Sequence, residues 1–184
     1  MRNFLEEKFK VQAIESIKAY VEEHPEYQNQ FVEVLNMASQ TAENSASFLD
    51  LGLFYFEKDK PLALKNFRKA LTQNPQDFQI LKYMCILHYQ LDQYEDAISI
   101  ADEALEIYPA QAIFMLVKGR SLVRLTQYNK AKSVLLEALS YVFEENKMMK
   151  MVYEGLTEAY LGLDNLEKAK EYEKKANAIK DKLN

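Results

Sequence analysis

Phe48-Leu49-Asp50-Leu51-Gly52-Leu53-Phe54-Tyr55, followed by Ala63-Leu64-Lys65-Asn66-Phe67-Arg68-Lys69-Ala70 and Pro75, spells out two helices that face each other. Phe48, Leu51, Gly52 and Tyr55 have the i, i+3, i+4, i+7 spacing of one helix face. Ala63, Phe67 and Ala70 share a second such face, and Pro75, which cannot continue a helix, marks its end. Gly52 and Ala63 are small, so the two backbones can approach closely while aromatic and leucine side chains fill the space around the contact.

The same slots recur. From Pro75 to Pro109 is 34 residues, and between them stand Leu81, Met84, Cys85 and His88, then Ala97, Ala101 and Ala104. A third unit carries Met115, Lys118, Gly119 and Leu122, then Ala131, Leu135 and Ala138, with Phe143 in the closing slot. The fourth has Tyr153, Leu156, Thr157 and Tyr160, then Ala169 and Ala176, with Glu173 in a slot that is otherwise apolar. Leu91-Asp92-Gln93-Tyr94, Leu125-Thr126-Gln127-Tyr128 and Leu163-Asp164-Asn165-Leu166 are expected to be one turn used three times. The first unit has a shorter turn with Pro61, which the first turn of a helix accepts because its N–H groups have no intrahelical partner. Lys118 stands where the other units have Leu or Met; it either snorkels to the surface or meets an acidic partner.

Slot by slot these units resemble the tetratricopeptide repeat, a helix-turn-helix unit of about 34 residues that stacks into a solenoid. The resemblance covers residues 45–180. It implies an all-α fold, a right-handed superhelix of antiparallel pairs with about ten helices. The expected repeats are residues 45–76, 77–110, 111–144 and 145–184, the last with a C-terminal capping helix. Residues 1–44 fit less closely. Ala13, Ile17, Tyr20 and Pro25 have the spacing of the second helix of a repeat, which would place most of its partner before Met1. The segment is then either an autonomous helix ending at His24-Pro25 or a repeat cut from a longer array. Tyr27 to Ser39, with Phe31, Val34, Leu35 and Ala38, predicts one more amphipathic helix, and Asn44-Ser45 a cap before the first repeat. The two N-terminal helices are expected to pair and cover the end of the stack. The helix from Leu166 to Leu183 mixes lysines with Glu167, Glu171, Glu173 and Asp181, the pattern of a solvated capping face.

Composition narrows the function classes. A net charge of −5 argues against general nucleic-acid binding, which needs a basic footprint. No apolar run is long enough for a membrane span. Acidic residues follow Met1-Arg2-Asn3-Phe4-Leu5, so a chain complete at this point is expected to be cytoplasmic; for an excised domain the compartment is open. The single Cys85 sits in a small-residue slot and reads as a buried free thiol. His88 and His24 read as structural histidines, since base catalysis needs a second positioned group. No phosphate loop, nucleophile elbow or zinc motif is present, so the chain is expected to be no enzyme, with neither cofactor nor metal.

The resemblance implies that the first helix of each repeat lines a concave groove for an extended peptide or a helix of a partner protein. The residues of those helices not used for packing are Leu49, Leu53 and Phe56, then Gln79, Lys82, Ile86 and Tyr89. Ile113, Leu116, Arg120, Val123 and Arg124 follow, then Met151, Glu154 and Glu158. Arg120 and Arg124 are i, i+4 neighbours whose planar forks suit a carboxylate, with Tyr89 as an aromatic wall. The alternative is that these arginines pair with Glu154 or Glu158 and that the N-terminal helices cover the apolar end. Leu49 and Leu53 stand where tetratricopeptide co-chaperones of heat-shock proteins carry a lysine and an asparagine, which speaks against that ligand class. Three functions compete: a peptide-binding adaptor, a segment of a longer or self-associating scaffold, and a chaperone similar to those of bacterial type III secretion.

Overall fold

A computed structural model describes residues 2–41, 45–144 and 147–183. They form ten α-helices and one short 3-10 turn. The chain divides into two compact units, one ending at Ile80 and the other starting at Leu81.

The first unit holds α1 (Arg2–Glu23), the turn Pro25–Tyr27, α2 (Gln28–Thr41), α3 (Ser45–Tyr55), α4 (Lys60–Gln73) and the start of α5 (Phe78–Gln90). In the α3–α4 pair, Phe67 is fully buried, and a Cβ added to Gly52 would lie 2.4 Å from its ring. The ring therefore lies directly on the glycine backbone. Ala63 and Ala70 flank it, both without exposure. Asp59 caps α4 by accepting a hydrogen bond from Leu62 N–H at 2.9 Å, and Pro61 follows in the first turn as expected. Asn44 lies outside the described residues, and with it the expected Asn44-Ser45 cap.

At the N-terminus the structure corrects the expected register. α1 pairs with α2 and buries Ile14 and Val21, whereas Ala13, Ile17 and Tyr20, the slots of a second repeat helix, are exposed. α2 buries Phe31, Val32 and Leu35. Lys18 of α1 reaches Asp50 of α3 at 2.6 Å.

The second unit continues α5 and adds α6 (Tyr94–Ile107), α7 (Ala112–Arg124), α8 (Tyr128–Ser140), α9 (Lys147–Gly162) and α10 (Leu166–Leu183). Its core runs through the alanine slots Ala97, Ala101, Ala104, Ala131 and Ala138, all with no exposure. Leu135 of α8 is clamped between two glycines: a Cβ on Gly119 would stand 2.5 Å from it and one on Gly155 3.1 Å. Cys85 fills the equivalent small slot, its thiol 3.5 Å from the Ala97 carbonyl oxygen; burial pushes the thiol up to about 12, which keeps it protonated and inert. Phe143, in the closing slot of the third unit, is exposed.

The three matching turns share one geometry. Asp92, Thr126 and Asp164 have φ of 58°, 57° and 56°, the left-handed region. Each is followed by the bond that closes a helix in a Schellman motif: Gln93 N–H to His88 O at 2.9 Å, Gln127 N–H to Leu122 O at 2.8 Å and Asn165 N–H to Tyr160 O at 3.0 Å. Aspartate tolerates this backbone; β-branched threonine does so at a cost of about 1–2 kcal/mol. Thr126→Asn is therefore expected to raise stability by about 1 kcal/mol, read as a higher urea midpoint, while Asp92→Asn leaves the midpoint unchanged.

The α9–α10 pair is closed by aromatic rings. Tyr172 stacks on Tyr160 at 5.6 Å and meets Tyr153 at 5.8 Å, and it is buried while the neighbouring Glu173 is exposed. Glu171 accepts hydrogen bonds from Lys168 and Lys175, both at 2.7 Å, which pull its carboxyl from the ordinary 4.5 down to about 2. A depressed carboxylate contributes stability above its unfolded value and loses it as pH falls from 4.5 through about 2. Glu171→Gln is expected to lessen the loss of α10 helicity over that window, measured by circular dichroism against the unsubstituted chain. No helix among the described residues is long and apolar enough to cross a membrane.

Candidate functional site

The expected groove residues fall in both units. In the first unit Leu49, Leu53 and Phe56 are half-buried. Leu53 lines a cleft of about 380 Å3 together with Val21 of α1 and Phe31 of α2. The N-terminal helices thus lie against this apolar end. Lys58 ties it further, its ammonium 3.6 Å from the centre of the Phe54 ring and 3.3 Å from Gln28 Oε1.

In the second unit, α5, α7 and α9 carry the remaining candidates. Leu116 and Val123 are core residues, only 1% and 8% exposed, so they offer little surface to a ligand. The apolar face of α7 is wider than one slot and takes in Met115 and Leu116, then Leu122 and Val123. Ile113 and Met151 pack against the same core. Lys82 and Ile86 are half-buried, with the Lys82 ammonium over Tyr83 at 4.5 Å.

The arginines form the polar centre of this face. The Arg120 guanidinium lies over the Tyr89 ring, 5.7 Å from its centroid, and one terminal nitrogen stands 3.7 Å from Glu158 Oε1. That separation is an ion pair beyond hydrogen-bonding distance. Its Nε is buried with no hydrogen-bond acceptor among the described residues. Arg124 is exposed and donates from Nε to the Tyr94 hydroxyl at 3.2 Å, its guanidinium 5.8 Å from the Tyr94 ring centre. Tyr89 and Tyr94 are in ring contact at 5.8 Å. Glu154 pairs with Lys150 on its own helix at 3.3 Å, so of the two expected glutamates only Glu158 meets an arginine.

Beside this centre opens a cleft of about 440 Å3 lined by Tyr94, Arg124, Tyr128, Glu158 and Leu161. Tyr128 lies against the end of α9 because Gly162 leaves room for it; a Cβ there would stand 2.4 Å from the ring. Tyr94 and Tyr128 escape a reading restricted to first helices because they open the second helices α6 and α8. Their signal was the repeated Gln-Tyr that ends two of the three matching turns.

The remaining candidates resolve simply. Lys118 does find an acid, Asp102 on α6, at the edge of a cleft of about 570 Å3 floored by Ile98, Leu122 and Val134. His88 is buried with Nδ1 3.7 Å from Asp96. Among the described residues no cluster of three or more His, Cys, Asp or Glu side chains could hold a metal ion.

Comparison with known proteins agrees with the helix-pair fold. Residues 57–118 match the family model of the tetratricopeptide repeat. The structure of MamA 41-end from Desulfovibrio magneticus RS-1 superimposes with a TM-score of 0.80 at 16% identity, covering 94% of this chain and 96% of that one. A crystal form of MamA AMB-1 gives a TM-score of 0.74 at 19% identity over 94% and 98% of the two chains. Among curated proteins, the Protein SGT1 homolog of Oryza sativa subsp. japonica is 24% identical over 100 residues. That match takes in 54% of this chain and spans 27% of the length of that relative. Residues 57–118 thus match the tetratricopeptide repeat, within an all-α fold of stacked helix pairs like that of these structures. That fold serves in general as a scaffold for protein–protein interaction.

Proposed function

We propose that the chain is a non-catalytic adaptor that binds a carboxylate-bearing peptide or helix of a partner protein on the α5–α7–α9 face of the second unit. The observation that carries this reading is the pair of guanidinium groups at Arg120 and Arg124, each held over a tyrosine ring. Arginine presents five donors in a planar fork, and at Arg120 the internal acid stands too far away for a hydrogen bond. Stacking on Tyr89 and Tyr94 orients the forks before a ligand arrives, which reduces the entropy lost on binding. Lys82, Ile86 and Leu161 provide flanking contacts. In the first unit Leu53 shares its cleft with Val21 and Phe31 of the N-terminal helices, so the apolar residues there are assigned a lesser part. Affinity capture from the native source, with the unsubstituted chain beside Arg120→Glu/Arg124→Glu, tests the reading. Partners retained by the first and lost by the second support it; identical capture by two equally folded chains removes it.

A further inference from the structure

A second surface, in the first unit and of opposite charge, has no part in that function. We propose that the exposed face of the α1–α2 pair is a docking site for a basic amphipathic helix of a partner protein. Ile17 and Val34 are 36% exposed, Tyr20 52% and Tyr27 44%, although in sequence Ile17 and Tyr20 hold slots that are fully buried at Phe67 and Ala70 of the first repeat. These four side chains, with Phe31, line a cleft of about 210 Å3. The Tyr20 ring lies 4.2 Å from that of His24 and 5.9 Å from that of Tyr27, so the aromatic wall is continuous across the turn between the helices. An apolar face on a helix pair is a surface on which a further helix packs.

The charge around the cleft selects the kind of helix. Residues 20–38 contain Glu22, Glu23, Glu26 and Glu33 and no lysine or arginine; Glu22 lines the cleft on the side of Lys18, which leaves Glu23, Glu26 and Glu33 near this one. Lys18 lies on a different side of α1, held by Asp50 at 2.6 Å. Glu23 stands one turn beyond Tyr20, Glu26 lies 3.5 Å from His24, and Glu33 adjoins Val34. An apolar centre with tyrosine faces and an acidic rim fits an apolar stripe flanked by lysine or arginine, through burial, ion pairing and cation–π contact together. An acidic helix meets repulsion at the same rim.

The test uses the full chain and two designed helical peptides of about 18 residues, each with leucines on one face and either lysines or glutamates on the other. The lysine peptide is expected to bind, more weakly at high salt, and Tyr20→Ser/Val34→Lys to weaken it by at least about tenfold. Glu23→Lys/Glu26→Lys/Glu33→Lys is expected to weaken it as well while leaving the apolar face intact. All these positions are exposed, and circular dichroism confirms that the variants fold. Equal affinity for both peptides, or affinity unchanged by the substitutions, overturns the proposal. So does light scattering that shows a dimer abolished by Val34→Lys and undisturbed by the peptide, because the occupant is then a second copy of the chain.

Discussion

Phe67→Ala is expected to destabilise the α3–α4 pair by about 3–5 kcal/mol. The ring is fully buried and lies on the backbone of Gly52, between Ala63 and Ala70. Two helix backbones held at that distance cannot close over the space the ring leaves, so the cavity cost adds to the lost transfer energy. The reverse substitution is unfavourable for the complementary reason. A Cβ on Gly52 would overlap the ring at 2.4 Å, and Gly52→Val is expected to cost about 1–3 kcal/mol despite the better helix propensity of the new residue. In the Phe67→Ala background the same valine enters the cavity, so the double variant is expected to be less destabilised than the sum of the two. Amide hydrogen exchange in α3 and α4 is the suitable measure, because a repeat array need not unfold in one step. Unchanged protection in Phe67→Ala would mean that the glycine–phenylalanine contact does not hold the pair.

Arg120→Glu/Arg124→Glu is expected to weaken partner binding by at least about 100-fold, the scale of a lost charge pair at a desolvated contact. The substitution removes two forks and presents carboxylates to a carboxylate ligand. It also brings Arg120→Glu near Glu158, so folding must be followed in parallel. A charge swap separates the two effects: Arg120→Glu/Glu158→Lys restores the internal ion pair and is expected to restore stability without restoring binding. Arg120→Lys keeps the charge but loses the planar fork and its stacking on Tyr89, and an intermediate loss is expected.

Much of the fold was legible because its determinants are local in spacing. Gly52 and Gly119 recur in one slot because Phe67 and Leu135 lie on their backbones, and Cys85 fills the same slot against the Ala97 carbonyl. The shared turn was legible as a repeated four-residue string; that its second residue is left-handed at Asp92, Thr126 and Asp164 alike came from the structure. The N-terminal register was not. Ala13, Ile17 and Tyr20 form one amphipathic face of α1 and Ile14 and Val21 another, and which of them is buried depends on the neighbour that is present. Helix spacing alone could not remove Leu116 and Val123 from the groove, since α7 buries a face broad enough to include them. Contacts between helices were also out of reach: Asp102 as the partner of Lys118, and Tyr94 as the support of Arg124, are set by packing and not by sequence offset.

On the proposed reading, the face bearing Tyr89, Arg120 and Arg124 receives the partner. A photo-crosslinking amino acid placed at Tyr89, used in the native source, tests this most directly. Adducts should map to partner segments that carry aspartate, glutamate or a terminal carboxylate, and should vanish when Arg120→Glu/Arg124→Glu is added. Adducts that persist in that background, or a partner captured only by the same probe at exposed Leu136 on α8, would contradict it.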